Sequence, residues 1–129
     1  MIALDTNVVV RLLVDDDPGQ TRRARKLLEA RTTLVLPTVL LETEWVLRGA
    51  YDIGRAAIAG SIRRLLGLPN VALANAQAIA QALEWFEAGL DFADALHLAL
   101  AGEAEGFVTF DARMAKRARR ITARAVSAL

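Results

Sequence analysis

Four carboxylates, Asp5, Glu42, Asp94 and Asp111, are spread across the chain, each beside or inside an apolar stretch. Asp5 follows Met1, Ile2, Ala3 and Leu4. Glu42 interrupts the run 38–47, Asp94 lies within 91–99, and Asp111 closes 106–111. A buried carboxylate without a partner is costly, so it neutralises, pairs or binds a cation. Brought together, each pair would repel by about 4 kcal/mol at about 4 Å, for an effective dielectric of about 20. A hard divalent ion relieves that repulsion better than a single basic side chain.

Convergence depends on the elements that carry these residues. Residues 2–4 read as a short strand ending at Asp5, with Thr6 able to cap a helix through about Val14. Asp17 and Pro18 open a second helix to about Ala30, with Ala24, Leu27 and Leu28 inward. A strand over 33–36 precedes a helix from Pro37 to about Arg48, stopped at Gly49. A helix over 55–66, a short strand over 71–73, a helix from Asn75 to about Ala88 and another over 91–104 follow. A strand over 107–110 leads to a final helix of about ten residues, capped by Asp111 or its neighbour. Residues 121–126 are the candidate last strand.

Strands alternating with helices predict an α/β fold: a short, mostly parallel central sheet with helices on both faces. In such a sheet Asp5 and Asp111 lie at the carboxyl edge, where α/β proteins build their sites. Each would equally serve as a helix N-cap, worth roughly 1 kcal/mol.

Neighbouring acids separate the informative positions from the ordinary ones. Glu42 and Glu44 point away from each other on a helix. Glu44 stands four residues before Arg48, the favourable order for a solvated ion pair. Glu42 has Thr38, Val39, Trp45 and Val46 within helical reach and no base, which places it on an apolar face without a local partner. Asp91 fits an N-cap after Gly89 and Leu90. Asp94 shares the buried face of its helix with Leu98 and Ala101. His97, the one histidine, suits a core or groove wall better than a ligand. Ser61 and Ser127 lack the setting of a catalytic serine.

The 129 residues suit one domain, and a 54% hydrophobic fraction with 24% charged residues excludes disorder. No apolar run reaches the roughly 18 residues of a membrane span. The opening lacks the basic flank of a signal peptide. Zero Cys excludes a disulfide framework, an Fe–S cluster and a thiolate zinc site, so the default location is cytoplasmic. The net charge of +1 hides an asymmetry: residues 112–129 carry six bases and no acid, leaving −5 on the remainder. That fits a polyanion partner next to an acidic site. On an extended final helix Arg113, Arg117, Arg120 and Arg124 share one face, either guiding a polyanion backbone or simply solvated. Trp85, Phe86 and Leu90 suit a partner face or the core.

Leu4-Asp-Thr-Asn-Val8, Leu41-Glu-Thr-Glu-Trp-Val-Leu-Arg48, Asp91-Phe-Ala-Asp-Ala-Leu-His-Leu98 and Val108-Thr-Phe-Asp111 occur in an order and spacing that resemble the PIN-domain ribonucleases, especially the VapC toxins of VapBC toxin–antitoxin systems. The resemblance covers essentially the whole chain. It implies that Asp5, Glu42 and Asp94 ligate Mg²⁺ or Mn²⁺, as one or two ions, and that Asp111 completes the pocket directly or through water. It places Thr6, Asn7 and Thr109 in the pocket wall. It further implies an endoribonuclease that inhibits translation and growth, a homodimer, and silencing by a VapB-type antitoxin.

The chemistry agrees, since hard carboxylate ligands suit Mg²⁺ in phosphodiester hydrolysis. A phosphoacceptor receiver domain would need paired acids after the first strand and a Lys near the last. A haloacid-type phosphatase would need an acid at position 7, where Asn7 stands. The alternative of a different class is a catalytically silent PIN-like scaffold that binds RNA or protein.

Overall fold

The computed structural model describes residues 1–129, and the chain divides into two compact units, Met1–Asn75 and Ala76–Leu129. The first unit runs β1 (Ile2–Ala3), α1 (Thr6–Leu13), α2 (Pro18–Ala30), β2 (Thr33–Val35), α3 (Pro37–Gly49), α4 (Arg55–Leu66) and β3 (Val71–Leu73). The second runs α5 (Ala76–Glu87), α6 (Phe92–Leu100), β4 (Phe107–Thr109), α7 (Ala112–Ile121) and β5 (Val126–Ala128). The α/β class expected from the sequence is what forms. The strands build two parallel ladders, β1-β2-β3 and β4-β5. Parallel neighbours cannot be joined by a tight turn, so helical crossovers are obligatory.

In the first unit Ile2 is paired with Thr33, and Thr33 with Val71. Val9, Val10, Val35, Leu40, Leu47, Ile58 and Ile62 form its core. Asp17 caps α2 by accepting from the Gln20 amide at 3.1 Å, with Pro18 in the first turn, as the sequence requires. In the second unit Phe107 is paired with Val126. Its core includes Ile79, Leu83, Phe92 and Leu98, and the rings of Phe86 and Phe92 meet edge-on, 5.3 Å between centroids. Trp85, Phe86 and Leu90 are all buried, so they are core and not a partner face.

Several boundaries move for identifiable reasons. The helix expected over 91–104 ends at Leu100, because Gly102, Glu103 and Glu105 offer nothing to bury, and the chain turns through a Gly102 N–H to Ala99 carbonyl bond. The last strand is not 121–126. Met114, Ala115 and Ala118 keep a buried stripe that carries α7 to Ile121, and β5 starts at Val126, the residue β4 pairs with. Thr6 does not cap α1. Asp5 occupies that position without a side-chain capping bond.

The largest correction concerns α3. Its inward face is Val39, Leu40, Thr43, Glu44 and Leu47, which turns Glu42 and Trp45 to the surface, Trp45 being 66% exposed. The expected ion pair forms, with Arg48 Nε donating to Glu44 Oε1 at 2.9 Å, but only its Arg48 end is solvated, because Glu44 is 2% exposed. The helical period explains the exchange: Leu40, Glu44 and Leu47 lie on one stripe, and α3 packs that stripe against α1 and α4. Arg48→Ala is expected to lower the unfolding free energy by about 1–3 kcal/mol, because a buried carboxylate loses its charged partner. Glu44→Gln, which removes the charge itself, should cost less. Urea denaturation of the two variants checks the order.

Candidate metal centre

Asp5 and Asp111 occupy equivalent local positions. Each follows a short parallel strand and stands at the N-cap of the next helix, α1 and α7 respectively. They differ in what the carboxylate does. Asp111 Oδ1 accepts from the Met114 amide at 2.9 Å, and the Asp111 amide donates to Thr109 Oγ1 at 3.0 Å. Thr109 therefore holds the strand-to-helix corner. The Asp5 carboxylate is exposed and makes no cap bond, which leaves its oxygens available.

Within the first unit Glu42 is tied to this corner, because the Thr6 hydroxyl donates to Glu42 Oε1. Thr6 itself is buried, and it is the residue directly after Asp5. One hydrogen bond thus ties the acid of α3 to the residue that follows Asp5. Glu42 is exposed, contrary to the apolar burial that its sequence neighbours suggest. Its neighbours mislead because α3 turns its 40/44/47 stripe inward, not the stripe that carries Glu42. Asn7 is exposed at the start of α1.

Within the second unit the acids act on each other. Asp94 is half-buried in the first turn of α6. Desolvation, then repulsion from Asp91 and from Asp111, holds its carboxyl above the usual aspartate range, and His97 one turn on offsets part of this. Asp91 occupies the N-cap position expected of it but makes no cap bond, so its charge enters the group. The sequence carries a signal for this in the three-residue spacing of Asp91 and Asp94. His97 is exposed, which removes it from the core.

Asp5 and Glu42 lie in one unit, and Asp91, Asp94 and Asp111 in the other. No group of three or more His, Asp or Glu side chains stands ready to hold a metal ion. The donor set still fits a hard cation. It is all oxygen, and Asp94 is raised by burial and by like charges, the repulsion that a divalent ion cancels.

The arginine face changes as well. Arg113 and Arg120 are exposed on α7. Arg117 Nη1 donates to the Gly89 carbonyl at 2.9 Å. Arg124 is not on the helix, which ends at Ile121. Its guanidinium lies 5.6 Å from the Trp85 ring and donates to the Leu98 and Gly102 carbonyls, both at 3.4 Å. It is part of the packing of its unit, so the four-arginine face loses one member.

The family model of the PIN domain matches residues 2–120, spanning both units. The chain belongs to the PIN domain family. PIN domains are generally metal-dependent nucleases, and the short parallel strands among helices described above are consistent with the PIN fold. No curated protein sequence matches this PIN domain. No helix of it is long and apolar enough to cross a membrane.

The repulsion at Asp94 has a measurable consequence. The folded protein holds this proton more tightly than the unfolded chain does, so the carboxyl favours folding in acid and that contribution is lost as pH rises through its raised pKa. In chelator at pH 7, Asp94→Asn is expected to raise Tm by a few degrees, with the gain vanishing in acid where the carboxyl is already protonated. A Tm at pH 7 that is unchanged or lower would remove the repulsion argument.

Proposed function

We propose that this PIN domain is a Mg²⁺- or Mn²⁺-dependent endoribonuclease, the VapC-type toxin of a VapBC-type toxin–antitoxin pair, whose cleavage of RNA inhibits translation and growth. The observation that carries the reading is Asp94, half-buried and raised by desolvation and by the charges of Asp91 and Asp111, together with an Asp5 that its own helix leaves uncapped. Such an arrangement has no structural use for its charge, and family membership supplies one.

Asp5, Glu42 and Asp94 would hold the ion, and Asp111 would complete the acidic set with the oxygen left free by its cap. One or two bound divalent ions supply Lewis acidity toward a phosphate oxygen and an activated water for hydrolysis. The chain contributes orientation. Thr6 holds the Glu42 carboxylate, Thr109 holds the backbone of Asp111, and Asn7 offers an amide beside Asp5 to the RNA backbone. Arg113 and Arg120 attract the polyanion from α7, with Arg117 constrained by its bond to Gly89. A homodimer in the cytoplasm, silenced by a VapB-type antitoxin, completes the proposal.

Incubation of total RNA with Mg²⁺ or Mn²⁺ should give cleavage that a chelator abolishes and that Asp5→Asn lowers by about a hundredfold or more. Cleavage that survives the chelator would reject the metal assignment. RNA binding with no cleavage under any of these conditions would indicate a silent scaffold instead. Arg113→Ala combined with Arg120→Ala should make the salt dependence of RNA binding shallower by about 1.4, at roughly 0.7 per phosphate contact on a single strand. An unchanged slope would remove α7 from the RNA path.

A further inference from the structure

A cleft of about 320 Å³ opens in the first unit along α1 and α2. Its apolar lining is Val8, Ala24 and Leu27, and its polar lining is Asn7, Arg11, Gln20 and Arg23. We infer that this cleft binds one nucleotide unit of the RNA strand, with its base on the apolar floor and its phosphate on Arg23. The inference rests on the ribonuclease reading and assigns it a substrate subsite.

The polar lining presents hydrogen-bond donors in excess. Arg11 Nε donates to Gln20 Oε1 at 2.7 Å, and Arg11 Nη1 donates to Asp16 Oδ1 at 2.6 Å and to the Tyr51 hydroxyl oxygen at 3.1 Å. The Tyr51 hydroxyl in turn donates to Asp16 Oδ2 at 2.6 Å. Both Asp16 oxygens are therefore occupied and its charge is matched by Arg11. Because Gln20 uses its carbonyl oxygen on Arg11, its amide N–H₂ is left to donate. No acid lines the cleft. Arg23 is exposed on α2 and has no carboxylate or carbonyl partner, so one full positive charge remains unmatched.

Those features select the ligand. Surplus donors and one free guanidinium call for an anionic, acceptor-rich group, and Arg is the side chain best matched to phosphate. The apolar floor calls for a hydrophobic face attached to that anion. Inorganic phosphate leaves the floor bare, and an aliphatic side chain leaves Arg23 unpaired. A nucleotide satisfies both, and the volume is at the small end of ligand pockets, about 300 Å³. Asn7 is shared between the cleft and the first turn of α1, two residues after Asp5, so a strand seated here is already at the acidic corner.

The test compares Arg23→Ala, Arg23→Lys and Arg22→Ala, each in the full chain carrying Asp94→Asn to suppress cleavage. Arg22 is exposed on the same helix but does not line the cleft, so it controls for net charge. Fluorescence anisotropy with single-stranded RNA should show Arg23→Ala binding severalfold more weakly, with a salt slope shallower by about 0.7. Arg23→Lys should keep the slope, and Arg22→Ala should match the parent. Adenosine 5′-monophosphate should shift the NMR side-chain amide signals of Asn7 and Gln20, whereas inorganic phosphate alone should not. An Arg23→Ala Kd and slope equal to those of Arg22→Ala would overturn the inference and leave the cleft to a protein partner. Cleavage by the parent chain decides the ribonuclease reading separately. Cleavage with an Arg23-independent Kd sinks only the cleft, whereas neither cleavage nor RNA binding sinks both.

Discussion

Parallel pairing of very short strands is the constraint on which the rest of this structure depends. A two-residue strand such as β1 has few ladder bonds of its own, so it persists only because β2 pairs with it and helices pack around it. Parallel neighbours require crossovers, and each crossover here begins with a helix that starts within a few residues of the strand end. That corner is where Asp5 and Asp111 stand. The same requirement places α3 directly after β2, and from there Glu42 reaches Thr6. Asp5 and Asp111 thus owe their places to strand-to-helix corners, whereas Asp91 and Asp94 stand where α6 follows α5.

The two corners show how one local geometry serves two ends. At Asp111 the carboxylate satisfies the helix, which stabilises α7 and occupies one oxygen. At Asp5 the carboxylate is withheld from that role. Withholding it forgoes roughly 1 kcal/mol of capping and leaves a charge exposed. A similar cost is visible at Asp94, where burial and like charges oppose ionisation. Proteins tolerate such local conflict where a ligand resolves it, and PIN domains are generally metal-dependent.

Much of the fold was legible because its punctuation is strong. Asp17 with Pro18, Pro37 with Gly49, and the turn at Gly67 delimit helices by chemistry that acts within a few residues, and the structure keeps those limits to within about a residue. Boundaries failed where no local signal existed. Nothing in 121–126 reveals that Val126 rather than Ile121 meets Phe107, because register is a property of the partner strand. The shortening of α6, by contrast, had a local signal in Gly102, which follows the C-cap Ala101 and turns the chain out of the helix.

The sequence by itself determined the order and type of the elements, the capped helix starts, and the positions of the acids along them, because propensity, capping and periodicity operate over one or two turns. Only the tertiary structure decided which face of each helix is inside. It buried Glu44 beneath an exposed Arg48, exposed Glu42, and removed Arg124 from the basic helix face to the Trp85 ring. It also brought Thr6 to Glu42 across 36 residues, and let the charges of Asp91 and Asp111 act on Asp94. The physical reason is common to all of these. A side chain's burial and its electrostatic partners depend on neighbours that are distant in the chain, and neither spacing nor composition contains them.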